Sequence, residues 1–176
     1  MVWIPENHFY EVIVNSLFLA ASLLVSSSAM SNSYDLSTGT KISNFEHLKV
    51  ALFEGKTIKS IHNYSKCTET DPETGETYPG ANAVGGMVID SFEYFEKGTS
   101  GYDIPYIAAS TSKMVLIGDK FYQDYVKLRF FSDGKIQTVA RFYDPKTHEV
   151  IPLHDYECKL NPGNNNEAIS MTIMNL

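Results

Sequence analysis

The stretch FYQDYVKLRFFSDGKIQTVARFY, residues 121–143, leaves little choice of structure. Two runs rich in aromatic and β-branched residues flank Ser132-Asp133-Gly134, and a glycine in the third loop position supplies the left-handed conformation that closes a three-residue hairpin loop. Counting outward from the loop sets Phe131 opposite Lys135, Phe130 opposite Ile136, Leu128 opposite Thr138, Val126 opposite Ala140 and Asp124 opposite Phe142. Strand side chains alternate with period two, so all but the first of these pairs share one face, apolar except for Asp124 and Thr138. The other face carries Tyr125, Lys127, Arg129 and Phe131 against Lys135, Gln137, Val139, Arg141 and Tyr143. One face reads as core, and the other as wet, basic and aromatic.

The N-terminus is of a different kind. Residues 12–25, VIVNSLFLAASLLV, form an apolar run of signal-peptide length, and Ser27 and Ala29 are small residues at the positions a signal peptidase reads. The expectation is a signal peptide over residues 1–29, a flexible lead-in over 30–42 and one domain over 43–176. The run is short for a membrane span, which needs roughly 20 apolar residues, so no stable transmembrane segment is expected after cleavage. Residues 1–29 hold no Lys or Arg and carry Glu6 and Glu11, which disagrees with an ordinary signal peptide and fits a start codon assigned upstream of the true one. An uncleaved anchor and a buried helix are the other readings of this run.

All 14 basic residues and 19 of the 21 acidic ones lie in residues 30–176, a net charge of −5, which argues against nucleic acid as a partner. Cys67 and Cys158 are the only cysteines, and in an oxidising compartment their simplest state is one disulfide. The alternative is a nucleophilic thiol at Cys67, beside Lys66 and five residues after His62, but no third, orienting group is identifiable.

Ser43-Asn44-Phe45-Glu46 matches a capping box with Ser43 as N-cap; Phe45, Leu48 and Leu52 follow at helical spacing, and Gly55 is a fitting stop. Strands are expected over 56–67, 84–95 (Gly85-Gly86 marking a bulge or close backbone approach), 102–109, 113–117, the two arms of the hairpin, 150–160 and 168–174. Residues 71–80 read as an acidic, solvated loop whose carboxylates lack calcium-loop spacing. With no helix between strands, parallel crossovers are not expected. The fold class is therefore α+β: a mostly antiparallel meander of seven or eight strands, as a curved sheet or partly closed barrel, with one N-terminal helix.

Chemical motifs are sparse. Ser110-Thr111-Ser112-Lys113 fits S-x-x-K, but here it lies between strands, whereas the motif's Ser–Lys pair needs a helical turn, and K-T-G is lacking. His148, Glu149, His154, Asp155 and Glu157 gather around one strand, where alternation puts His154 and Tyr156 on the face of Cys158 and the two carboxylates on the other. They lack the spacing of a metal motif, and no cofactor or metal is expected.

Three stretches together resemble the VirK family of exported bacterial proteins: HLKVALFEGKTIKSIHNYSKCT (47–68), YVKLRFFSDGKIQTVARFYDP (125–145) and YECKL (156–160). The resemblance covers most of residues 30–176, and Cys67 and Cys158 stand where members of the family have cysteines. It implies a periplasmic or secreted, virulence-associated protein of a host-associated bacterium, and it brings no catalytic or binding residues with it. The functional expectation is a binding or interaction protein without catalysis, acting on an anionic surface or a protein partner through Tyr125, Lys127, Arg129, Phe131, Lys135, Arg141 and Tyr143. Two other classes stand beside it: a small hydrolase using His154 with nearby carboxylates, and a lipocalin-like carrier if the sheet closes around a cavity.

Overall fold

The computed structural model describes residues 33–160 and 168–174; the expected signal peptide, the start of the lead-in at 30–32 and the loop at 161–167 lie outside the described residues. The helix α1 (Phe45–Phe53) forms one residue later than the capping box suggested. Asn44, not Ser43, is the N-cap: its backbone is extended and its side-chain oxygen accepts from the His47 N–H at 2.9 Å. Ser43 instead donates its backbone N–H to His47 Nδ1 at 3.3 Å, and Glu46 turns to Lys49 at 3.7 Å. Phe45, Leu48, Ala51 and Leu52 form the buried stripe, and Gly55 ends the helix at a φ of 72°.

Ten strands follow among the described residues, in two antiparallel sheets. The smaller sheet has the order β10-β1-β4, from β10 (Ile169–Met174), β1 (Thr57–Asn63) and β4 (Val84–Ile89). The larger has the order β3-β2-β9-β8-β7-β6-β5, from β3 (Thr77–Pro79), β2 (Thr68–Thr70), β9 (Val150–Lys159), β8 (Lys135–Tyr143), β7 (Lys120–Phe131), β6 (Tyr106–Ile117) and β5 (Glu93–Phe95). Neither sheet closes on itself, so the antiparallel, one-helix architecture expected from the sequence takes its open form.

The strand count exceeds the expected seven or eight for local reasons. The run 84–95 bends at Asp90-Ser91-Phe92 and becomes β4 and β5, which serve different sheets. The acidic loop narrows to a turn between β2 and β3. In the other direction, the two short strands expected at 102–117 are one continuous β6, because Ser110–Ser112 pair across to β7 like their neighbours.

The register of the central hairpin is the one counted from its loop, from Phe130↔Ile136 down to Asp124↔Phe142. Its apolar face, with Leu128, Phe130 and Ile136 each at most 2% exposed, packs in one core with Ile58 and Ile89, with Ile169, Met171 and Ile173, and with the stripe of α1. Cys67 and Cys158 are disulfide-bonded, tying the approach to β2 onto β9. Residues 33–42, expected to be a flexible lead-in, run along the outer edge of β10: Gly39 N–H donates to Ile173 O at 2.9 Å, Ile42 N–H to Met171 O at 2.9 Å, and Ile42 is buried.

Two hairpin loops repeat one recipe. Asp71-Pro-Glu-Thr-Gly-Glu76 joins β2 to β3, and Asp144-Pro-Lys-Thr-His-Glu149 joins β8 to β9. In each the aspartate side chain accepts from the N–H groups two and three residues on. The fifth residue takes a positive φ, 73° at Gly75 and 61° at His148.

Candidate cleft between the two sheets

The outward face of the central hairpin is not the free basic surface that the sequence suggests. Phe131 is the clear correction: it is 2% exposed, in a second small core with Tyr106 and Ala108 that Phe95, Tyr102 and Ile104 cover. Residues just before β6 fold back over this end of the sheet, which strand periodicity alone does not reveal. Lys135 lies over the Phe131 ring at 4.9 Å and 3.7 Å from Glu157. Arg129 bonds Gln137 at 3.0 Å, and Tyr143 bonds His148. Tyr125 stands opposite Arg141 as counted, but that guanidinium engages Asp155 at 2.6 Å. The carboxylates of β9 thus stand on this face beside the cations of β8. Tyr125 and Lys127 remain beside a polar hollow of about 280 Å³ with Ser91, Glu93 and Ser110.

The other sequence candidates separate. Ser110 and Lys113 are three apart on one strand, so they point to opposite faces and form no Ser–Lys pair. The side chain of His154 lies outside what the structure describes, while Tyr156 and Cys158 are buried and Asp155 and Glu157 take the other face, as alternation requires. Among the described residues no three His, Cys, Asp or Glu side chains gather as a metal site, and no helix is long and apolar enough to cross a membrane.

What the sequence did not single out is a cleft of about 140 Å³ between the sheets. One wall comes from β1 and β4, the other from β6 and β7. Met87, Val126 and Leu128 make it apolar, and Lys113 and Asp124, cross-strand partners 3.6 Å apart, supply its charge. His62 is 2% exposed; it faces inward because Ile58, Ser60 and His62 share the buried face of β1. Its Nε2 meets Ser60 Oγ at 2.7 Å, and its Nδ1 has no partner among the described residues. Burial pushes the imidazole down to about 4, so the ring is neutral at neutral pH. Tyr64 lies beside it, ring centroids 5.9 Å apart, and packs against Tyr156 at 4.6 Å with the two rings tilted by 36°. Burial first, and then the Asp124 charge, raises the Tyr64 phenol. Gly85 makes room for that ring: a Cβ there would stand 3.0 Å from it. The Gly85-Gly86 pair was the one sequence signal pointing here; His62 itself carried none, since its burial depends on β4 and β10 closing around β1.

The VirK protein family model matches residues 41–148, more than half of the chain. The crystal structure of a VirK family protein from Legionella pneumophila superposes with a TM-score of 0.57 at 19% identity, over 77% of this chain and 98% of that one, which shows a shared fold. A polyribonucleotide nucleotidyltransferase from Beijerinckia indica is 37% identical over 123 residues, 64% of this chain. The match spans only 16% of that enzyme's length, so its activity is not carried over. The domain match and the shared architecture agree: this chain belongs to the VirK family.

Proposed function

We propose that this protein is an exported binding protein, without catalytic activity, that holds its partner at the cleft between the two sheets. One observation carries the reading: a cleft whose apolar lining is Met87, Val126 and Leu128 also holds the Lys113–Asp124 pair, Tyr64 and a neutral imidazole whose Nδ1 has no partner among the described residues. A few polar groups set in an apolar concavity are what recognition needs. Catalysis needs more, a reactive group within reach of substrate. Ser60, the hydroxyl that His62 touches, is 0% exposed, and Asp124 is paired to Lys113. Export is supported by the apolar run at 12–25 and by the Cys67–Cys158 bond, which belongs to an oxidising compartment. Use against a host is part of the proposal on the strength of the family alone.

The test compares immobilised variants in envelope and host extracts. A partner retained by the wild type and by the triple variant Lys127→Gln, Arg129→Gln, Arg141→Gln, but lost from Thr111→Arg, supports the cleft. A partner lost from the triple variant alone assigns binding to the outer face instead. Turnover of a broad ester or glycoside panel that vanishes in His62→Gln contradicts the non-catalytic reading.

A further inference from the structure

Strand β6 is longer than its outer neighbour. β5 pairs only with Tyr106, Ile107 and Ala108, whereas β7 pairs along β6 as far as Ile117. Residues 109–117 therefore have a hydrogen-bonded neighbour on one side and, among the described residues, no strand on the other. In an antiparallel pair alternate residues aim their N–H and C=O away from the partner, so this is an open row of donors and acceptors about 30 Å long. The devices that usually blunt such an edge are nearly lacking. The segment ASTSKMVLI has no proline and a single charge, Lys113, while Met114, Leu116 and Ile117 are 56%, 60% and 46% exposed. Its first residues are small, which lets a second backbone approach.

This edge borders the cleft. Thr111 and Lys113 line it from β6, while Gly85, Gly86 and Met87 line it from β4, itself the open edge of the smaller sheet. A strand laid along β6 passes the cleft mouth and aims alternate side chains inward, toward Val126, Leu128 and the wall that the His62 ring helps to form.

We propose that residues 109–117 are a docking edge for an extended segment of a partner protein, added as an extra antiparallel or parallel strand, with one uncharged side chain seated in the cleft. This rests on the cleft-binding reading and supplies its partner class. A second copy of this chain fits less well. Two-fold antiparallel pairing of 109–117 about its midpoint sets Lys113 against Lys113, and like charges directly opposite are unfavourable. A foreign strand with an acidic residue at that position is complementary, because the Lys113 side chain stays 68% exposed beside its bridge to Asp124.

The probe is a phage-displayed library of nine-residue peptides selected on the full chain. Two proline variants, Thr111→Pro and Ser112→Pro, serve as controls. Neighbouring residues on one strand aim their N–H groups to opposite sides, so one variant breaks a bond to β7 and is destabilised while the other loses only an open-side donor and folds. The folded one is the blocked edge. The expected result is selected peptides with alternating apolar residues and an acidic residue. They should bind the wild type at least ten-fold more tightly than the blocked variant, protect amides within 109–117 from exchange, and shift the His62 ring resonances. Peptides that shift His62 without protecting 109–117 would overturn strand addition while leaving the cleft as the binding site. Protection of 109–117 without a His62 response would overturn the seating of a side chain in the cleft, and with it the cleft reading. Failure to enrich any peptide overturns the docking edge. A concentration-dependent dimer protected at 109–117 overturns the choice of a foreign partner.

Discussion

Acidification should weaken this fold through the buried imidazole of His62. His62 is enclosed between the sheets, and its burial moves it from an ordinary 6.5 down to about 4. The sign follows from which state takes up the proton. Between pH 6.5 and 4 the unfolded chain protonates its histidine and the folded chain does not. Stability therefore falls as pH falls through that window, and the loss is complete below the folded value. At about 1.4 kcal/mol per pKa unit the displacement corresponds to a loss of about 3 kcal/mol. For a chain of this size that lowers Tm by roughly 10 °C. The assay is urea unfolding followed by circular dichroism at pH 7.5, 6, 5 and 4, on the wild type and on His62→Gln, which can still bond Ser60 but cannot titrate. Asp35 and Asp144, held below the carboxylate range by backbone N–H groups (from Ser37, and from Lys146 and Thr147), lose their contributions only at still lower pH and are present in both proteins. The wild type should lose about 3 kcal/mol more than the variant between pH 7.5 and 4. Parallel curves would refute the claim that burial holds the ring neutral.

Other parts of the fold give equally direct predictions. Breaking Cys67–Cys158 by a Cys→Ala pair releases a loop of sequence separation 91, which in the chain-entropy model lowers stability by about 4–5 kcal/mol, read from the urea midpoint. Asn44→Ala removes the N-cap acceptor and should cost about 1 kcal/mol, while Ser43→Glu, which leaves that acceptor in place, should cost less. At Gly80 a Cβ would collide with the Tyr64 carbonyl oxygen and stand 2.9 Å from that of Cys67, so Gly80→Ala should cost about 3 kcal/mol and lower Tm accordingly. His148→Val should be about 1–2 kcal/mol less stable than His148→Gly, read as the difference in Tm between the two, because both lose the bond to Tyr143 but only the branched side chain is strained at the positive φ found there.

What could be read without coordinates was whatever local chemistry decides. The β7–β8 register follows from one glycine-closed loop and a period of two, and Cys67 and Cys158 from being the only pair. The helix N-terminus slipped by one residue because Ser43 and Asn44 are both good caps, and only packing around His47 chooses between them. The Asp-Pro-X-Thr-X-Glu loop occurs twice in the sequence, but the histidine in one copy where the other has glycine obscures the likeness. Nonlocal pairing set the rest. Alternation separates Asp155 and Glu157 from Cys158, yet it does not say that β9 lies beside β8, where those carboxylates meet Arg141 and Lys135. The cleft exists only because the run 84–95 divides between two sheets, a consequence of the bend at 90–92 that no periodicity announces.

The most direct test of cleft binding is site-specific photocrosslinking in a bacterium expressing the full chain, with p-benzoylphenylalanine at Thr111 on the cleft rim or at Lys127 on the outer face. Binding at the cleft gives a discrete protein adduct from position 111 and none from position 127. An adduct from position 127 alone would contradict it.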